Sequence, residues 1–245
     1  MKKVVAIGGG EISKFETLKI DEEIVKLTGK DNPKALFIPT ASGEAEGYCE
    51  TFDLVYGKTL GCKTDVLFLI KDNLDSSQIE DKILWADLIY VGGGNTKMMM
   101  EIWRSKGVDK MLMDAYQRGT VLSGLSAGAI CWFKYGFSDS LRFQSGETWN
   151  YIKVEGLGLF NAILCPHLDE ENRREYFEKF IINFDGIGIG LENGCAIEII
   201  EDTFRIIKSF ENAQAYLFKG IKDRVFVKEI RNDHYIPFKL LIDND

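Results

Sequence analysis

Val4-Val5-Ala6-Ile7 is a short apolar run that stops at three consecutive glycines, Gly8-Gly9-Gly10, and gives way to helical spacing. That unit recurs. Ala35–Ile38, Asp65–Ile70, Asp87–Val91 and Thr120–Ser123 read as further buried strands, and helices are predicted over 15–27, 44–60, 76–84, 96–103 and 108–118. Short apolar runs alternating with helices require a parallel sheet covered on both faces. The expected class is therefore a three-layer, doubly wound α/β architecture with a mostly parallel sheet. Its sites belong at the carboxyl ends of the strands. Gly-rich turns stand there after Ile7, after Val91 (Gly92-Gly93-Gly94-Asn95) and after Ser123. One such turn is only a tight connection. Three, with Asn and Ser interleaved, suggest a shared site.

The second half reads differently. Residues 132–151 suggest a long loop or hairpin, 162–165 a strand reaching Pro166-His167, and 170–182 a helix. Strands are predicted over 186–191, 195–200, 203–207, 213–218 and 224–230. The chain thus reads as one α/β domain over 1–245. Its β-rich extension, about 201–245, is expected to continue the main sheet in antiparallel fashion. No linker or repeat divides it.

Composition narrows the function. Thirty Lys and Arg against 38 Asp and Glu give a net charge of −8 over 245 residues, which repels phosphate backbones and sets nucleic acid aside. No stretch is long and apolar enough for a membrane span, and the first residues do not form a secretion signal. The five cysteines, with no CxxC pair, read as free thiols in a reducing cytoplasm. Two histidines and no Cys pair beside them give no metal site. No cofactor is called for.

Gly124-Leu125-Ser126-Ala127-Gly128 is G-x-S-x-G between a strand and an expected helix over 127–133. In that setting the motif is a nucleophile elbow. The Ser126 side chain would project from the top of the sheet, and the Ala127 N–H would face a developing oxyanion. The base is then His167, at the end of a strand, or His234, in a charged turn near the C-terminus. An acid should orient the imidazole. Glu192, at the end of the 186–191 strand, is one candidate, and Asp139 is the other.

Taken together, Gly92-Gly93-Gly94-Asn95-Thr96, Gly124-Leu125-Ser126-Ala127-Gly128-Ala129, Pro166-His167 and Gly188-Ile189-Gly190-Leu191-Glu192 resemble the peptidase E (α-aspartyl dipeptidase) and cyanophycinase family of serine peptidases. The resemblance covers about residues 1–200. It implies a fold like the class I glutamine amidotransferases with Ser in place of their Cys. It further implies Ser126 as nucleophile, His167 as base, Glu192 at the acidic position, and an oxyanion-hole N–H from Gly93 or Gly94 beside Ala127. Asn95 would face the substrate. The implied substrates are small peptides, dipeptides with N-terminal aspartate foremost, and a homodimer is left open. An aspartyl carboxylate needs a fixed cation. Arg173 and Arg174 are the nearest candidates, and their alternative is a solvated helix face paired with Glu170 and Glu178. The sequence departs from the dipeptidase pattern at Leu125, where an aromatic is expected, and in its strand-rich tail. Two other readings stay open: an inactive binding protein on the same fold, and an ordinary α/β-hydrolase esterase using His234.

Overall fold

The computed structural model describes residues 1–143 and 149–242. Fourteen strands in these residues form two sheets. The first is built on the apolar runs of the N-terminal half: β1 (Lys3–Ile7), β2 (Lys34–Ile38), β3 (Lys63–Val66), β4 (Leu88–Val91) and β5 (Val121–Leu125). They pair in parallel in the order β1-β5-β4-β2-β3. Alternation along each strand serves both faces. Val4 and Ala6 enter one apolar cluster and Val5 and Ile7 the other, all fully buried. Helices Leu18–Lys26 and Glu46–Phe52 cover one face, and helices Ser76–Trp85, Thr96–Lys106 and Val108–Arg118 the other. The α/β class and the parallel sheet are thus as the sequence reads.

After β5 the chain leaves this sheet. β6 (Phe133–Ser138), β7 (Ile152–Glu155), β8 (Phe160–Cys165) and β9 (Ile187–Leu191) begin a second one. β10 (Cys195–Ile200) and β11 (Thr203–Lys208) return to the first sheet, with β10 antiparallel to β1. β12 (Ala215–Ile221) and β13 (Arg224–Glu229) extend the second sheet, and β14 (Ile236–Pro237) pairs with β11. The C-terminal strands are therefore shared between two sheets, not added to one. The cause is visible in the core: Leu164, Ile189 and Leu191 of the second sheet join the same apolar cluster as Val4 and Ala6. Helix Arg173–Ile181 closes the far face through Phe177 and Ile181.

Three local expectations change. The elbow helix is only Ala127–Ile130, because β6 starts at Phe133. The expected loop or hairpin over 132–151 takes the hairpin form, its strand β6 pairing antiparallel with β7, while its stretch 144–148 lies outside the described residues. The third strand ends at Val66, not at Ile70. The N–H groups of Leu69, Ile70 and Lys71 turn instead to the fully buried carboxylate of Glu44.

Behind the first helix lies a buried polar cluster. Asp21 is fully buried and accepts hydrogen bonds from the Thr17 and Tyr56 hydroxyls at 2.8 Å each. Burial pushes its carboxyl up to about 7, and those two hydrogen bonds pull the other way.

Candidate active site

Ser126 stands between β5 and the elbow helix with φ 57° and ψ −108°, a backbone conformation that a side-chain-bearing residue adopts only under constraint. The constraint is packing. A Cβ on Gly128 would fall 2.1 Å from the Val91 carbonyl oxygen, and one on Gly124 would fall 2.5 Å from that of Gly128. The Ser126 N–H donates to Ile7 O at 3.0 Å, which ties the elbow to the end of β1. Ala127 opens the helix, so its N–H has no intrahelical acceptor.

The glycine turn after β1 holds the histidine. The His167 N–H donates to Gly8 O at 3.0 Å, and the Gly194 N–H donates to Gly9 O at 2.9 Å. His167 also has a positive φ, 52°. A Cβ on Gly9 would lie 2.0 Å from Asn193 Oδ1 and 2.3 Å from His167 Nδ1, so only glycine fits beneath that pair. Ser126 and His167 then face one cavity of about 440 Å³, with Gly93 and Gly94 on the same wall.

Asn193 orients the imidazole. Its Oδ1 lies 2.7 Å from His167 Nδ1, while its Nδ2 donates to Asp169 Oδ2 at 3.2 Å and its N–H to Asp169 Oδ1 at 2.9 Å. A carboxylate only accepts, so the amide NH₂ faces Asp169 and the amide oxygen faces the ring. Nδ1 must then carry the proton, which leaves Nε2 as the basic nitrogen. Glu170 Oε1 adds negative charge 3.6 Å from the same Nδ1. No direct hydrogen bond joins Ser126 Oγ to the ring among the described residues.

Glu192, expected at that position, points elsewhere. Its Oε2 accepts the Gln214 N–H at 2.8 Å, and burial raises its pKa despite that bond. The rival Asp139 lies 3.4 Å from Arg173 and does not reach the ring either.

Asn95 is buried, and its Oδ1 caps helix 96–106 by accepting the Met98 N–H at 3.0 Å, so it does not face the cavity. Arg173 is buried on the apolar side of its helix. It pairs with Glu170 at 2.8 Å, lies near Asp139, and stacks over Tyr151 at 5.2 Å. Arg174 lies on the outer face, paired with Glu178 at 3.0 Å and stacked over Tyr216. Neither arginine reaches the cavity wall. His234 is exposed beside Asp233 and also lies off that wall. Among the described residues no three His, Cys, Asp or Glu side chains converge as metal ligands, and no helix is long and apolar enough to cross a membrane.

Two wall residues carried no motif. The Tyr48 hydroxyl accepts the Gly93 N–H at 3.3 Å, and a Cβ on Gly93 would lie only 3.4 Å from Ser126 Cβ. The hydroxyl thus sits on the glycine turn that packs against Ser126, and burial pushes its pKa up to about 12 and keeps it protonated. Glu11 lines the same cavity.

Residues 4–207 match the model of peptidase family S51. The chain belongs to that family. It is 36% identical over 220 residues to a Bacillus subtilis protein described as the uncharacterized peptidase YgaJ, covering 88% of this chain and 91% of that one. It is 24% identical over 205 residues to a Nostoc peptidase E, covering 81% of each. Two crystal structures share the fold. A peptidase from an acI-B1 Actinobacterium superposes with a TM-score of 0.72 at 20% identity, covering 97% of both chains. A peptidase E-like protein of Listeria monocytogenes gives 0.65 at 21% identity, covering 85% of this chain and 98% of that one. The S51 match ends at residue 207, just before the strands β12 to β14.

Proposed function

We propose that this S51 peptidase is a serine-type enzyme that hydrolyses small peptides through an acyl-enzyme on Ser126. The observation that carries the proposal is the locked imidazole: Asn193 and Asp169 fix the proton on Nδ1 of a histidine that shares a cavity with an elbow serine. His167 Nε2 takes the Ser126 proton as Oγ attacks the peptide carbonyl. The oxyanion meets the N–H groups of Gly94 and Ala127 and the Tyr48 hydroxyl, which itself accepts the Gly93 N–H. His167 then protonates the leaving amine, and water, activated by the same nitrogen, releases the acid.

The cavity volume suits a peptide of a few residues. The preference for N-terminal aspartate implied by the resemblance would need a cation, and no Lys or Arg lines the wall among the described residues. The substrate class that the cavity supports is therefore small peptides. The open Ser126–His167 contact favours a second reading, a binding protein on the same fold. A fluorophosphonate probe separates the two. Labelling of the wild type but not of Ser126→Ala, with peptide hydrolysis lost by about 10⁴-fold in the variant, is the expected result. Full hydrolysis by Ser126→Ala would end the assignment, and absence of labelling in the wild type would leave the binding protein.

A further inference from the structure

Glu11 is the charged side chain, at neutral pH, among the described residues of the cavity wall. It is held in place. Its Oε1 accepts from the Ser13 hydroxyl at 2.8 Å and the Ser13 N–H at 3.3 Å, and it caps the short turn Ile12–Lys14. Its own N–H donates to Glu16 Oε2 at 2.7 Å, which brings a second carboxylate close behind. Among the described residues Oε2 of Glu11 has no partner. An oriented carboxylate, with one oxygen free, thus shares a cavity with the nucleophile. Arg173 and Arg174, the cations that acidic substrates would have used, are spent on Glu170, Asp139 and Glu178. The segments outside the described residues, 144–148 and 243–245, contain no Lys or Arg.

We infer that Glu11 is the specificity-determining residue of this site and that it receives a cationic group of the substrate, ammonium or guanidinium. The inference rests on the reading of Ser126 as nucleophile. A positive group near the scissile bond gains from Glu11, whereas an aspartyl carboxylate there faces like charge. The preferred substrates are small peptides with a positive charge at the residue that supplies the scissile carbonyl. That charge has two sources, the free α-ammonium and a Lys or Arg side chain.

The test uses coumarin amides of N-acetyl-Ala, Ala, N-acetyl-Arg and Asp on the whole protein. Wild type should cleave at least one of Ala and N-acetyl-Arg about tenfold faster than N-acetyl-Ala in kcat/KM, and Asp more slowly than Ala. Faster cleavage of Ala assigns the α-ammonium, and faster cleavage of N-acetyl-Arg assigns the side chain. In Glu11→Gln the ratio of the cationic amide to N-acetyl-Ala should fall toward one, and in Glu11→Lys the Asp amide should overtake Ala. These ratios are taken within one preparation, so a loss of folded protein cancels. Equal wild-type rates on cationic and neutral amides, or a ratio unmoved in Glu11→Gln, overturns the inference while probe labelling of Ser126 still stands. If the probe does not label Ser126 and no amide is cleaved, the nucleophile reading has failed and takes the inference with it.

Discussion

Replacing Asp21 by Asn should make the protein more stable at mildly alkaline pH and change its pH dependence in a calculable way. Asp21 is buried, and its carboxyl titrates near 7 in the folded protein instead of 3.8. For an acid raised in this way the folded state is favoured while the group keeps its proton. That stability is complete below 3.8, declines as pH rises, and is gone above about 7. At 1.36 kcal/mol per pKa unit the full loss is about 4 kcal/mol. By about pH 5 the unfolded carboxyl is ionised and the folded one is not, so somewhat under 2 kcal/mol has already gone. Between about pH 5 and about pH 8 the remainder, about 3 kcal/mol, is lost by the wild type and kept by the variant. Asn suits the site. Its oxygen can accept from Tyr56, and its NH₂ can donate to Thr17, whose hydroxyl turns to accept. Urea titrations of both proteins across this range give the difference directly, since every other titrating group is common to both. A parallel decline, with a constant gap between wild type and variant, would refute the argument. So would a variant less stable than wild type at about pH 8.

Two further outcomes test the site. Asn193→Ala frees the imidazole and should lower kcat by about ten- to a hundredfold, while Glu192→Gln, whose Oε1 can still accept the Gln214 N–H, should stay within about threefold. Steady-state rates on one peptide suffice, and the reverse ranking would restore Glu192 as the orienting residue. Tyr48→Phe removes a hydroxyl beside Gly93 and should cost about a hundredfold in kcat with little change in KM. An effect on KM alone would assign Tyr48 to substrate binding.

The strands of the first sheet were legible because buried parallel strands read as short apolar runs whatever lies around them. Their division into two sheets was not, since β8 and β9 carry the same pattern as β1 and nothing local says which neighbours they pair with. The elbow was legible because Gly124, Ser126 and Gly128 each answer a local steric demand. The orienting residue was missed by one position. Glu192 and Asn193 are consecutive at the turn between β9 and β10, so their side chains leave in different directions, and the tertiary path decides which meets His167. Arg173 did leave a signal. It stands four and eight residues before Phe177 and Ile181, on the helix face that is buried, whereas Arg174 falls outside that stripe. Tyr48 and Glu11 left none, because Tyr48 lies in helix Glu46–Phe52 and Glu11 at the cap of the turn Ile12–Lys14, and only tertiary packing brings either to the wall.

The pairing of β1 with both β5 and β10 also has a temporal meaning. Gly8 donates to Cys195 O and accepts from His167, so the turn that seats the histidine is closed only by a segment nearly two hundred residues later. During synthesis the elbow serine emerges long before that closure. A growing chain would carry Ser126 without a seated His167 until β10 is added, and under the proposed mechanism hydrolytic capacity would arrive only at that point.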